Sequence, residues 1–324
     1  MYYTHNLKKK GKYDFWLPKY HTRSTMAFDT SVAIDNSNVD VVVLKTARDT
    51  DLYVSIMMPD LAEGETCPLV SVNHGFMGDR NEYGMFHGGA YSSNGLADEL
   101  QQRGIATVRV DFPGSGDSTE SFESYTISNM VSDMETAYNY VLENYPIDRN
   151  RLGVLGWSMG AKVTTKFITR HPEMKVMVLW SPAVGDGIGD LYFMKQLSDF
   201  AENEALDNME YVAQLRDTAE REGYALLEQD YNKHEILLSK AFFDEIEAAT
   251  PIAWINGFKG DKLAVMPIDD NVIPKKTYEI LCRDTDIRRI YIDSDHDLGF
   301  ENELADATLS AIEITVAYLA DKLS

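Results

Sequence analysis

Residues 151–167 read RLGVLGWSMGAKVTTKF, and the role of Ser158 within them decides the fold. The apolar run 151–156 has the pattern of a short buried strand, and 159–170 that of a helix ending near His171-Pro172. A serine on the sharp turn between such a strand and helix leaves room only for very small side chains two residues to either side. Gly156 and Gly160 fill those two places. Ser158 is therefore a candidate nucleophile on a strand-turn-helix elbow, against the plainer reading of a serine in an ordinary turn.

Outward from the elbow, strand and helix patterns alternate. Segments 39–46 and 51–59 read as a hairpin turned at 48–50, 68–74 as a buried strand, 95–104 as a helix closed by Gly104, and 105–111 as another strand. A long helix is expected over 128–145 and a strand over 175–182. After the break described below come a strand at 262–267, a helix at 275–282, a strand at 288–293 and a last helix at 302–323. Such alternation implies a mostly parallel sheet covered on both faces. It breaks between 185 and 249, where an acidic segment shows apolar residues three or four apart, Met209, Val212 and Leu215, then Leu226, Leu227 and Tyr231. The spacing predicts amphipathic helices inserted over the carboxyl ends of the strands, where a lid would sit. The expected organisation is an extension at 1–38, a core at 39–184 and 250–324, and a helical cap at 185–249.

Composition narrows the function. The 324 residues carry a formal net charge of −22, a field that repels nucleic-acid phosphates and anionic lipid headgroups. The basic stretch LKKKGKY near the N-terminus reads as a solvated tail. No segment has the apolar length of a secretory signal or membrane span, so a cytoplasmic protein without membrane or nucleic-acid partners is expected. Cys67 and Cys282 have no paired spacing and read as free thiols. Neither has a His or Cys neighbour at zinc-site spacing, and neither a cofactor nor a metal is expected. A homodimer is left open.

A serine hydroxyl needs a base to take its proton and a third group to orient that base. Beyond Ser158 the histidines are His171 at a helix end, His234 in the insertion and His296 in YIDSDHDLGFENE, directly after the last strand. The sheet edge where loops converge favours His296. The acid is sought in MPIDDNVIP, the loop after the preceding strand, with Asp270 preferred, Asp269 next and Asp261 weaker. Each could instead cap a turn or helix. The order Ser158, Asp270, His296 supports the first choice. Donors for an oxyanion are sought in the N–H of Met159, after the serine, and in NHGFMGDRNEYG, where His74-Gly75 breaks a strand and frees the N–H of Phe76, with Met77 as alternative. A second His-Gly-Gly, in FHGGAY at 86–91, does not directly follow a strand and reads as a rim loop.

Taken together, HGFMG, VRVDFPGSGDS, GWSMGA, WSPA, DDNVIP and DSDHDLGF, in this order, resemble the α/β-hydrolase superfamily from about residue 39 onward. Within it the chain looks most like the cinnamoyl (feruloyl) and related acyl esterases. That resemblance implies an α/β-hydrolase fold with a mostly parallel sheet of about eight strands and a helical cap. It implies serine carboxylic ester hydrolysis of small acyl or aryl esters, with Ser158, Asp270 and His296 catalytic and the amides of Phe76 and Met159 as oxyanion hole. Asp111, Gly114 and Gly116 match a turn that is structural in the family. Pro267-Ile268, the long insertion and the N-terminal extension depart from its pattern. Thioesterase, acyltransferase or peptidase chemistry fits the same residues, as does a binding protein on a hydrolase scaffold.

Overall fold

The apolar segments assemble into one eight-stranded sheet, in a computed structural model that describes residues 38–88, 95–197, 207–229, 234–299 and 305–324. The expected extension at 1–38 thus lies almost wholly outside the described residues. Strands β1 (Val39–Lys45) and β2 (Asp51–Met57) form an antiparallel hairpin. Then follow β3 (Cys67–Asn73), α1 (Leu96–Gln102), β4 (Ala106–Val110), α2 (Ile127–Asn144), β5 (Ile147–Trp157), α3 (Met159–Phe167) and β6 (Val176–Trp180). The sheet order is β1-β2-β4-β3-β5-β6, completed by β9 (Asp261–Pro267) and β10 (Arg288–Ile292) once the chain returns from the insertion. All pairings from β4 to β10 are parallel.

Alternation along the strands divides the core between the two faces. Leu152 and Val154 of β5 join Met177 and Leu179 of β6 in one apolar cluster, with Met130, Met134 and Val141 of α2 and Val163 of α3. Leu155, Trp157, Val178 and Trp180 point the other way, into a cluster with Leu96 and Leu100 of α1 and Ile312, Val316 and Leu319 of α9 (Ala305–Lys322). Burying each such side chain contributes about 1.5–3 kcal/mol. The helix α2 is bound to the first of these faces, that of Leu152 and Val154, by its stripe at three- and four-residue spacing, and starts where the Thr126 hydroxyl accepts the Asn129 N–H at 3.2 Å.

Between β6 and β9 the chain forms α4 (Met194–Leu197), α5 (Asn208–Glu222), a two-stranded hairpin of β7 (Tyr224–Gln229) and β8 (His234–Ser239), then α6 (Lys240–Ala248) and α7 (Pro251–Gly257). The hairpin corrects the helix expected through Leu226 and Leu227. Helix α5 stops at Gly223, whose φ of 90° is left-handed, and burial then alternates with period two, Ala225 and Leu227 inside and Leu226 half-buried. Ala225 faces Leu238 and Leu227 faces Ile236 across the ladder. An apolar run this short fits either period, and the partner strand decides between them. Tyr231 lies outside the described residues, as does the expected start of the last helix at 302. After β9 comes α8 (Lys275–Asp284). Among the described residues, no helix is long and apolar enough to cross a membrane.

Candidate active site

Because β3, β5, β6, β9 and β10 run parallel, the residues that follow them emerge along one edge of the sheet. Asn73 pairs with Gly156, Trp157 with Trp180, Trp180 with Val265, and Pro267 with Ile292. The loops beginning at His74, Ser158, Ser181, Ile268 and Asp293 therefore converge. Between β3 and β5 the chain order reverses, one strand leading to β4 on one side and the other to β6 on the opposite side. Ligands bind at such a switch point in open α/β sheets.

Ser158 sits there with φ 53° and ψ −117°, a left-handed conformation that costs a side-chain-bearing residue on the order of 1–3 kcal/mol. Its N–H is tied to the Trp180 carbonyl at 2.9 Å. The two glycines expected at the elbow are required by close approach. A Cβ on Gly156 would lie 2.5 Å from the Thr164 hydroxyl, and one on Gly160 would lie 2.5 Å from the Asn73 carbonyl oxygen and closer still to that of His74.

His296 Nε2 lies 3.0 Å from Ser158 Oγ, and its Nδ1 lies 2.9 and 3.1 Å from the two carboxylate oxygens of Asp270. A carboxylate only accepts, so Nδ1 carries the proton and the Nε2 lone pair faces the serine hydroxyl. The histidine side chain is wholly buried and that of Asp270 is 3% exposed. The Asp270 carboxylate also accepts the N–H groups of Val272 and Ile273, each at 2.8 Å, and the hydroxyl of Tyr278. Burial pushes this carboxyl up, but the electrostatic attraction and hydrogen bond of His296, the Tyr278 hydroxyl and the Ile273 amide outweigh it, and the net displacement is downward. Burial, then the charge of Asp270, raises the Tyr278 phenol well above its usual range, which keeps it a donor.

The other expected acids stand elsewhere. Asp269 is exposed and uses its N–H on the Ser294 carbonyl at 3.0 Å. Asp261 begins β9 at the opposite end of the strand, beside Lys322 at 3.6 Å. His171 stacks on Phe167 and pairs with Glu173 at 2.8 Å, and His234 begins β8 in the insertion. The second His-Gly-Gly is described only as far as 88, where Phe86 packs on Trp180 and His87 pairs with Asp98 of α1 at 3.1 Å.

The loop after β3 lies against the elbow, with the place of a Gly75 Cβ only 3.2 Å from Ser158 Cβ. Phe76 follows directly on Gly75, and the leading N–H of α3, that of Met159, is beyond the reach of the helix's own carbonyls. Met77 is left-handed at φ 64°. His74 orients the loop. Its Nε2 accepts the Phe112 N–H at 3.1 Å, so Nδ1 donates to the Gly75 carbonyl at 2.8 Å. Burial lowers its pKa to about 4 and keeps it neutral. Asp111 accepts the N–H groups of Arg80 (2.7 Å) and Asp117 (2.9 Å), so the turn with Gly114 and Gly116 is indeed a brace for this loop.

Three supports were given no role in the sequence reading, although Ser181 belongs to the WSPA motif. Tyr278 is one. Ser181, at φ 40°, donates its hydroxyl to the His296 carbonyl at 2.8 Å and holds the histidine loop. Lys162, one turn beyond Ser158, is wholly buried, donates to the Gly185 carbonyl at 2.7 Å and lies 3.3 Å from buried Asp190. Asp190 also accepts the Gly185 N–H at 2.6 Å and the Thr277 hydroxyl at 2.7 Å, tying α3, the entry to the insertion and α8 together. From the insertion, Phe193 and Phe242 reach Phe76 with ring centroids 5.7 and 6.5 Å away, and Phe122 and Tyr125 complete the aromatic group. Among the described residues, no group of three or more His, Cys, Asp or Glu side chains is arranged to hold a metal.

Sheet order, elbow and strand-end site define an α/β-hydrolase fold. Known proteins agree and add a resemblance to esterases: the pattern of the serine aminopeptidase S33 family, Hydrolase_4, matches residues 70–230. Est1E from Butyrivibrio proteoclasticus, solved with ferulic acid bound, superposes with a TM-score of 0.63 at 16% identity over 86% of this chain and 99% of its own. The esterase domain of a Rhodothermus marinus protein gives 0.58 at 14% identity, over 88% and 99%. The α/β hydrolase GrgF from Penicillium sp. sh18 gives 0.62 at 13% identity, over 88% and 99%. No curated protein matches the chain in sequence at a significant level.

Proposed function

We propose that the protein is a serine carboxylic ester hydrolase that works through an acyl-enzyme on small acyl or aryl esters of the cinnamoyl type. The observation that carries this reading is the chain of contacts from Asp270 to His296 Nδ1 and from Nε2 to Ser158 Oγ at 3.0 Å, on a strained elbow. In the first step His296 takes the Ser158 proton as Oγ attacks the ester carbonyl, and the carbonyl electrons move onto oxygen. The N–H groups of Phe76 and Met159 receive that oxyanion. Collapse expels the alcohol, which takes the proton from His296, and leaves the acyl group on Ser158. Water then repeats the sequence, giving its proton to His296, and releases the acid. Asp270 holds the ring in the right tautomer and stabilises the imidazolium. Aromatic acyl groups suit the rings gathered around Phe76.

A peptidase reading has one observation in its favour, the aminopeptidase for which the matching family is named. Both readings are tested with one panel given to wild type and Ser158→Ala: methyl ferulate, short and long p-nitrophenyl esters, an acyl thioester and an aminoacyl anilide. The ester reading expects ester turnover that falls roughly a million-fold without the serine hydroxyl. Turnover of the anilide alone would move the protein to the peptidases, and an active Ser158→Ala would remove the serine mechanism altogether.

A further inference from the structure

The Gly75 carbonyl and the Phe76 N–H belong to one planar peptide, so whatever fixes Gly75 aims the amide assigned to the oxyanion. His74 Nδ1 and the Gly78 N–H hold that carbonyl, at 2.8 and 3.2 Å. On the other side of Gly75 its own N–H donates to Oε2 of Glu82 at 3.0 Å. Glu82 is an odd residue to find there. It is wholly buried, its φ is 45°, and Oε1 has no hydrogen-bond partner. Strain and an unmet polar atom each cost stability, and they persist where the surroundings and the function demand them. The loop is also closed tightly on the carboxyl group, since a Cβ on Gly78 would lie 2.5 Å from Oε2 and 2.6 Å from Oε1.

We propose that Glu82 is a positioning residue for the oxyanion donor, its carboxyl group fixing Gly75 from one side while His74 fixes it from the other, a role that rests on the esterase reading of Ser158. Burial, reinforced by the charge of Asp79 and by those of Asp297 and Asp111, holds this acid well above the usual carboxyl range, against the smaller downward pull of the Gly75 hydrogen bond. A neutral acid accepts from Gly75 without setting a full negative charge beside a forming oxyanion. Glutamine has the same length and one acceptor oxygen, and can take the same place.

The test is kcat and KM for a short p-nitrophenyl ester at pH 7 with wild type, Glu82→Gln, Glu82→Ala, Gly78→Ala and Ser158→Ala. Because oxyanion contacts form in the transition state, Glu82→Ala is expected to lose roughly 10- to 100-fold in kcat with KM within about twofold. Glu82→Gln is expected within about threefold of wild type in both constants. Gly78→Ala, which crowds the carboxyl group while keeping it, is expected to lose kcat selectively and decides the matter if Glu82→Ala fails to fold. The role is overturned if folded Glu82→Ala or Gly78→Ala keeps its kcat, if the loss falls on KM, or if glutamine is as poor as alanine. Should Ser158→Ala stay active, the esterase reading itself fails. Should Ser158→Ala be inactive while the Glu82 and Gly78 variants match wild type, only the role of Glu82 is lost.

Discussion

Replacing Asp270 by asparagine changes one atom, and the structure dictates which way the new amide turns. Oδ1 of Asp270 accepts two backbone N–H groups, from Val272 and Ile273, both at 2.8 Å. An NH2 group there would face two backbone donors that cannot turn away, whereas at Oδ2 the Tyr278 hydroxyl can rotate to accept, so the asparagine oxygen keeps the Oδ1 position and the nitrogen takes the place of Oδ2. Oδ2 is the oxygen 2.9 Å from His296 Nδ1. A donor at that point forces Nδ1 to become the acceptor and moves the ring proton to Nε2, which faces Ser158 Oγ at 3.0 Å. A protonated Nε2 cannot take the serine proton. Loss of the correct tautomer costs a serine-histidine-aspartate site about 10⁴-fold in kcat, or about 5.5 kcal/mol of barrier. The assay is kcat on a p-nitrophenyl ester at pH 7, with thermal melting to confirm the fold and with Asp269→Asn as comparator. Asp269→Asn should be close to wild type, because Asp269 is exposed and meets its neighbours through its N–H. An Asp270→Asn enzyme retaining more than about a tenth of wild-type kcat would refute the assignment of the acid and the tautomer reasoning built on it.

Further outcomes follow from the same contacts. Gly160→Ala drives a Cβ against the Asn73 and His74 carbonyls, so it should cost about 1–3 kcal/mol in urea unfolding and lower kcat by spreading the oxyanion loop from the elbow. Lys162→Met leaves the buried Asp190 carboxylate without its cation and should destabilise by about 3–5 kcal/mol, whereas Lys162→Met with Asp190→Leu should recover much of that loss in a double-mutant cycle. His74, lowered to about 4 from an ordinary 6.5, binds its proton more readily unfolded than folded. Its contribution is therefore complete above pH 6.5 and is lost as pH falls towards 4. The stability difference between wild type and His74→Gln should shrink by roughly 3 kcal/mol between pH 7 and 4, and a difference that stays constant over that range would contradict a neutral buried His74.

How much of this was legible beforehand depended on whether the determining contact is local. The elbow was legible because its pattern of Gly156, Ser158 and Gly160 spans five residues, and Gly156 is kept small by Gly160 and Thr164 of the helix that follows, although Gly160 owes its small size to the Asn73 and His74 carbonyls of the neighbouring strand end. The strands could be located because parallel, doubly covered strands are nearly continuous apolar runs, as in 67–73 and 176–180. Alternation of such runs with helices carried the layered fold, and the order of serine, acid and histidine carried the candidate site. The hairpin at 224–239 was not legible, because Ala225 and Leu227 owe their strand conformation to Leu238 and Ile236 across the ladder. Choosing Asp270 over its neighbour Asp269 could be supported by chain order but decided only by which carboxylate meets His296. Tyr278 and Glu82 are ordinary residues in sequence and Ser181 is marked only as part of WSPA, and each acquires its role from a group that the folded chain alone brings to it: the Asp270 carboxylate, the Gly75 N–H and the His296 carbonyl. Sequence by itself determined most of the elements and the candidate side chains of the site, since short-range sterics and the periodicity of burial are written along the chain. Tertiary structure decided which acceptor each donor meets and which groups are denied water, because hydrogen-bond geometry and desolvation depend on atoms distant in sequence.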